Sequence, residues 1–344
     1  MTRTVRPMTA ADVAALLGLF DQAGLHPNVR PQDLEWKYWQ PRADWPAARA
    51  FVMANDGALQ AAGALVPGRH TSAAGQLSLM HVIDWAALRG AMGAGTALMK
   101  YIAQQAQALL AVGGSAETRQ ILPHMGFKTV GAITGYVRPL HPWRLLNQVG
   151  SAGWRVLPRV ARGLSWRQRA PAAPAAAWQA RVLAPAELAQ VATVLPVPAG
   201  GTVVLERSIE LFRYMLSCPI VPFSLYAAEH SGHVRGYFVL AVAPGQVRLA
   251  DLWVDSQQVA DWRAAVLCAV GQAQADPQAA EIVTWASAPL LHAALRGAGF
   301  HARFSTPVQI RPSAGAALPA MPLNVHMLDN DAAYFHEGRS EFWA

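Results

Sequence analysis

The run Arg89-Gly90-Ala91-Met92-Gly93-Ala94-Gly95, followed by Thr96, stands directly ahead of a helical pattern through Leu98, Met99 and Ile102. Glycines at a helix start leave backbone N–H groups open, and the helix dipole there favours an anion such as a pyrophosphate. Arg89 adds a positive charge beside that turn. Side chains able to move a proton lie close by in sequence: His81, Asp84 and Glu117, with His124 a fourth. A group of this kind can take a proton from an attacking nucleophile, directly or through water. Alternatives stay open for each. His81 is a base or a satisfied core histidine, Asp84 a base or a cap for the turn after it, and Glu117 sits with Ser115 and Thr118 in a helix-capping pattern. On a regular strand His81 and Asp84 point to opposite faces, and a β-bulge is needed to bring both to one. No Ser-His-Asp set, no His/Cys metal spacing and no phosphate loop with lysine occurs, so no metal site is expected.

The elements that must position these residues are legible in the pattern. An apolar strand ends at Ile83-Asp84-Trp85; after the glycine turn and its helix comes a second strand, Leu109-Leu110-Ala111-Val112, then Gly113-Gly114-Ser115 and a short helix ending at Gly126-Phe127. Upstream, residues 4–7 read as a strand. A helix from Thr9 to about Ala23 buries Val13, Leu16, Leu17 and Phe20, with Thr9 and Asp12 forming a near capping box. A second helix covers about Pro31 to Trp39. Two strands, Ala50 to Ala54 and Leu59 to Val66, join through the hairpin signal Asn55-Asp56-Gly57.

Strand, glycine turn, helix, strand, helix and a terminal Gly-Phe resemble the core of the GNAT superfamily of acyl-CoA N-acyltransferases. That family carries Gln/Arg-x-x-Gly-x-Gly/Ala after its fourth strand. Gly93-Ala94-Gly95 matches the second half of the motif, whereas Gly90 stands where Arg or Gln belongs and Arg89 lies one place upstream. The resemblance implies acetyl-CoA or another acyl-CoA as co-substrate, held by Arg89, Gly93, Ala94, Gly95 and Thr96. It also implies an amine acceptor bordered by the first two helices, where Trp36 and Trp39 line the groove or simply fill the core. The family's usual general acid is a tyrosine four residues before the Gly of Gly-Phe. This chain has Leu122 there, followed by Pro123.

The pattern recurs half a chain later. Leu295-Arg296-Gly297-Ala298-Gly299-Phe300 repeats the Gly-Phe ending, and a hairpin of Tyr237–Val242 and Val247–Trp253 turns through Pro244-Gly245. Asp251 and Trp253 then correspond to Asp84 and Trp85. A helix from Val259 to Ala275 and a strand from Glu281 to Trp285 follow. Val254-Asp255-Ser256-Gln257-Gln258 replaces the glycine turn, and its two carboxylates and missing glycines make a poor pyrophosphate cradle. The expectation is an α/β chain of two GNAT-like domains, each a mixed central sheet flanked by helices. Residues 1–142 form the acyl-CoA-binding domain, 143–179 a basic linker, 180–312 a degenerate second domain, and 313–344 a tail with Asp329, Asp331, Glu337 and Glu341 at its acidic end.

A chain of 344 residues with 53% hydrophobic content suits two cores. No apolar run spans a membrane, no signal peptide is evident, and two cysteines at no redox spacing read as free thiols, so a cytoplasmic protein is expected. The net charge of +7 is local. No acidic residue occurs between Glu117 and Glu187, where ten basic residues lie. That pattern, without an aromatic–basic module, does not describe a nucleic-acid binder. Within the gap, Arg155, Arg159 and Arg162 share a helical face, with Trp154 and Leu157 toward the other side. Such a helix at 143–169 either contacts an anionic membrane peripherally, as an enzyme acting on a membrane-bound glycan precursor would, or bridges the two domains with its arginines solvated or paired to the acidic tail. The leading functional expectation is transfer of an acyl group, most simply acetyl, to a small-molecule or glycan amine. A Fem-type aminoacyltransferase and a non-catalytic acyl-CoA-binding or scaffold protein are the other two.

Overall fold

The structure is a computed structural model that describes residues 3–26, 30–72, 75–148, 156–171, 174, 177–198, 203–313, 316, 323–337 and 341–344. Its first half runs β1 (Arg3–Pro7), α1 (Val13–Ala23), α2 (Pro31–Leu34) continuing as one π-turn to Trp39, β2 (Ala50–Asn55), β3 (Ala58–Ser72), β4 (Gly75–Ala87), α3 (Ala94–Ile102), β5 (Ala108–Val112), α4 (Ala116–His124) and β6 (Lys128–Pro139). After the short α5 (Leu145–Gln148) and α6 (Leu157–Arg169), the second half follows: β7 (Trp178–Val182), β8 (Val203–Leu205), α7 (Ile209–Leu216), β9 (Phe223–His230), β10 (His233–Ala243), β11 (Gln246–Val254), α8 (Val259–Gln274), β12 (Glu281–Ala286), α9 (Pro289–Gly297), β13 (His301–Pro312) and β14 (Leu323–Asn324).

All the described strands join one mixed sheet in the order β1-β2-β3-β4-β5-β13-β6-β12-β11-β10-β9-β7, with β8 and β14 attached beside β3. The order reads as a palindrome. β1 to β5 correspond to β7 and β9 to β12, and the last strand of each half has crossed over, so that β13 lies on β5 and β6 on β12. The halves thereby share backbone hydrogen bonds at the centre of the molecule, and neither can leave without opening the sheet.

Each half buries both faces of its strands. On the first half, α3 packs Leu98, Met99 and Ile102 against Phe51, Leu65 and Met80, while α1 packs Leu16, Leu19 and Phe20 on Val52, Ala62 and Ile83 of the opposite face. On the second, α8 and α9 cover Leu249 and Ile282, and α7 with the C-terminal segment covers Tyr237, Val239 and Ala250. The Asn55-Asp56-Gly57 hairpin forms as its sequence demands, with Asp56 and Gly57 both at positive φ (47° and 86°).

Two details of the sheet shape the site. First, β4 pairs in parallel with β5 only from Leu79 to His81, although it runs on to Ala87, so the two strands part there. Second, the β3–β4 register shifts between Ala62 and Ala64, placing Asp84 and Trp85 together opposite Gly63, and Asp84 takes φ +48°. This is the bulge that His81 and Asp84 require if they are to share a face. The second half repeats both features: β11 and β12 pair only from Gln246 to Arg248, and the β10–β11 register shifts beside Ala250.

Candidate active site

The glycine turn forms as a helix entry. Gly93 is the N-cap of α3 at φ +74°, a conformation that disfavours a side chain, and the position a Cβ would take has nothing within 4 Å. Gly95 serves a different need. A Cβ there would lie 3.1 Å from the Ala87 Cβ and 3.5 Å from the Trp85 ring, and Trp85 Nε1 donates to the Gly95 carbonyl at 3.1 Å. Ala94 is buried under the sheet, while Thr96 and Arg89 are exposed. The N–H groups of Gly95 and Thr96, in the first turn of α3, find no backbone acceptor among the described residues. Open space at Gly93, free donors and the dipole of a nine-residue helix fit the pyrophosphate of an acyl-CoA.

The three proton-transfer candidates are not assembled together. Glu117 is exposed in the first turn of α4. Its carboxylate is held below the usual range by the helix N-terminal N–H and Ser115, with a contribution from Arg89, which places it on the side of the glycine turn. His81 and Asp84 both face the C-terminal segment instead, which the bulge permits. The His81 ring is 2% exposed; its Nδ1–H donates to the Asp329 carbonyl (3.1 Å) and its Nε2 accepts from Asn330 Nδ2 (2.8 Å). Burial pushes its pKa down to about 4. Asp84 accepts a hydrogen bond from the Tyr38 hydroxyl (2.9 Å) and lies 2.5 Å from Lys37 Nζ, so it closes an ion pair and does not cap the turn after it.

Lys37 has a fully buried side chain and a second carboxylate, Asp331, at 3.7 Å. Burial alone would lower the lysine, but Asp84 and Asp331 together outweigh it and hold it above its ordinary value. Asp331 is the more open member, its side chain 23% exposed against 6% for Asp84. Burial, with the charge of Asp84, raises Asp331 to about 6.

The second half carries a counterpart. Asp251, beside its bulge, accepts from Tyr237 Oη (2.9 Å) and pairs with Arg207 (2.6 Å), and Arg207 reaches Asp329 at 2.8 Å. His326 Nδ1 stands 3.3 Å from Asp251. Each bulge aspartate thus holds a tyrosine and a cation, and residues 329–331 deliver one carboxylate to each cation. The segment is anchored by Val325, Leu328 and Tyr334, all buried, and Trp36 is core, stacked on Tyr214 (4.8 Å) and edge-on to Tyr334 (5.0 Å). A small cavity between the halves is bordered by Lys37, Arg42, Arg49 and Arg207, with Tyr214 and Asp329. Lys37, Arg207 and the Asp329–Asp331 contacts carry no local sequence signal beyond the acidic character of the tail, because their partners are 44 to 294 residues away along the chain.

The buried histidines give a measurable consequence. His81 at about 4 and His70 at about 3 both lie below the ordinary 6.5, displaced by burial, with Arg207 adding to the shift at His70. Depressed folded-state values mean the unfolded chain binds protons first, so stability is full above pH 6.5 and falls as pH drops toward 4. Asp331, raised in the fold, works in the opposite sense over the same window. The clean comparison is therefore wild type against His81→Asn: wild type should lose about 3 kcal/mol more between pH 7 and pH 4 in urea unfolding. Parallel pH profiles would show that His81 is not buried neutral.

No protein-family model and no curated protein matches this sequence. Solved structures match it in fold. A tandem GNAT protein from the clavulanic acid biosynthesis pathway aligns at TM-score 0.55 and 15% identity, over 92% of this chain and all of that one. A GCN5-related N-acetyltransferase from Anabaena variabilis ATCC 29413 aligns at TM-score 0.59 and 9% identity, over 90% of this chain and 73% of its own. An N-myristoyltransferase from Saccharomyces cerevisiae aligns at TM-score 0.60 and 12% identity, over 99% and 87%. The chain has the fold of the GNAT N-acetyltransferases. At such identities the likeness is one of fold, and function rests on the site. Among the described residues no helix is long and apolar enough to cross a membrane.

Proposed function

We propose that the protein transfers an acyl group, most simply acetyl, from acyl-CoA to an amine acceptor. The observation that carries this is the α3 entry, where open space at Gly93 and free N–H donors stand beside the gap between β4 and β5. In this reading residues 1–142 hold the co-substrate, 143–179 link to a second half at 180–312 that lacks the glycines, and 313–344 is the tail that reaches back. The pyrophosphate lies on Gly93, Ala94, Gly95 and Thr96 with Arg89 nearby. The parted edges of β4 and β5 offer backbone groups to an extended amide-bearing arm. The thioester supplies an activated carbonyl carbon and a thiolate leaving group.

The protein's part is to orient the amine and receive its proton. The Lys37-bridged pair Asp84 and Asp331 suits this. It lies on the side of β4 away from α3, and its more open carboxyl is raised to about 6, near the value a base at neutral pH needs. Asp331→Asn should lower kcat/KM at least tenfold and remove the limb near pH 6, with acetyl-CoA affinity unchanged. An unaltered pH profile in that variant returns the role to His81, Asp84, Glu117 or solvent. Of the arginines on the adjoining cavity, Arg207 and Arg42 are paired to aspartates, whereas Arg49 has no carboxylate among the described residues and favours an acceptor, small molecule or glycan, that carries an anionic group beside its amine.

Calorimetry with acetyl-CoA, followed by thiol release over a panel of amines, tests the whole reading. Binding without thiol release by any amine would favour a non-catalytic acyl-CoA-binding protein. Leu122 in place of the usual tyrosine and the segment 325–334 packed into the groove are the observations on that side.

A further inference from the structure

The acid-free region between Glu117 and Glu187 has an outer surface that the other described residues leave exposed. α6 seats Gly163 on Pro139 and Pro142 and turns Val156 and Val160 inward. The adjoining face, about 100° round the helix, carries Leu157, Ala161 and Leu164 at helical spacing, with Leu157 57% and Leu164 39% exposed. The adjoining turn and α5 add Trp143 at 43% and Leu146 at 47%, and the Arg167 guanidinium lies 5.1 Å from the Trp143 ring, joining the two parts into one patch. Trp154 and Arg155 fall outside the described residues.

The charges around this patch lack counterions. None of Arg144, Arg159, Arg162, Arg167 and Arg169 has a carboxylate within ion-pair distance among the described residues. The acidic tail residues Asp329 and Asp331 do not pair with them; they are committed to Arg207 and Lys37 in the groove. A helix that only bridged two halves would turn its apolar residues inward and its arginines to water or the tail. This one leaves leucine and tryptophan outside with Arg167 beside them, and Arg159 and Arg162 on the far side of the helix, none paired to a carboxylate among the described residues.

We infer that the α5–α6 surface is a peripheral docking site for an anionic lipid bilayer. Leu157, Leu164, Leu146 and Trp143 enter the headgroup boundary, and the arginines meet the headgroup charges. An exposed tryptophan is suited to this depth because its ring is amphipathic, and arginine stems reach along an apolar surface while their heads stay in the polar layer. The partner's chemistry follows from the pairing of apolar and cationic groups: a neutral bilayer satisfies only the first, and a polyanion in water only the second.

Co-sedimentation of the full chain with phosphatidylcholine vesicles, with and without one quarter phosphatidylglycerol, tests the inference at low and at high salt. Binding to the anionic vesicles should exceed that to neutral ones at least tenfold and weaken with salt. Arg159→Glu with Arg162→Glu should abolish it, and Leu157→Ser with Leu164→Ser should reduce it several-fold at unchanged charge. Leu157, Arg159 and Leu164 are exposed, while Arg162 is half-buried with its guanidinium 5.3 Å from the Trp166 ring, so far-UV circular dichroism with acetyl-CoA calorimetry confirms that each variant is folded. Absence of binding at low salt, equal binding to both vesicles, or loss only in the charge variant overturns the bilayer assignment. Salt-sensitive binding to duplex DNA without vesicle binding does so too, in favour of a nucleic acid.

Discussion

Replacing Gly93 with aspartate is expected to weaken acetyl-CoA binding about 100-fold, while Gly93→Asn stays within a few-fold of wild type. Both side chains tolerate the left-handed backbone that Gly93 adopts, and both would project into space with no protein atom within 4 Å. They differ in one charge. A carboxylate roughly 5 Å from a pyrophosphate costs on the order of 2–3 kcal/mol at the effective dielectric of a protein surface, which is the 100-fold. Calorimetry reads it directly. Valine at Gly95 would be a poorer test, because its Cβ would press on Ala87 and Trp85 and report packing as well as ligand. Changes at Ser256 or Gln257, the corresponding turn of the second half, should leave the affinity alone. Equal affinities for Gly93→Asp and wild type would remove the pyrophosphate from α3.

Arg207→Met is expected to cost about 3–5 kcal/mol of folding stability at pH 7. It strips the arginine from two aspartates whose side chains are 2% and 3% exposed. The three groups are a coupled unit. Burial alone would raise Asp251, but Arg207 outweighs it and holds it low, while Asp329 remains raised by burial even with the arginine present. Without Arg207 both carboxyls favour the protonated form, so the deficit should shrink as pH falls. Adding Asp251→Asn and Asp329→Asn to Arg207→Met should recover part of the loss, since no buried charge is then left unpaired. A cost under about 1 kcal/mol in urea unfolding would show that water reaches the triad and that the tail is not seated in the groove.

The contrast between Gly93 and Arg207 marks what was legible in the chain. The strand–turn–helix around Gly93 could be read because its determinants are local: period-two and helical apolar spacing, glycine where φ turns positive, and a hairpin dipeptide at Asp56-Gly57. The second copy could be read for the same reason, its Gly299-Phe300 ending and its hairpin being as local as those of the first. Even the bulge at Asp84 was foreseeable as the condition for His81 and Asp84 to meet one surface. What they meet was not. Lys37, Arg207 and His81 all reach residues 329–331, and nothing near them in sequence marks them as partners of that segment.

The sequence by itself determined the class of fold, the glycine turn ahead of α3, the lack of glycine at 254–258, and the confinement of the basic excess to one region. Tertiary structure alone decided that the last strand of each half crosses to the other, merging two expected sheets into one. It also decided that residues 329–331 fill the groove and that the arginines of α6 have no carboxylate partner among the described residues. The physical reason is the range of the forces. Backbone conformation and amphipathic spacing are set within a few residues. Strand exchange and buried ion pairs depend on which surfaces meet, and a burial cost falls on a charge only once distant segments have closed over it.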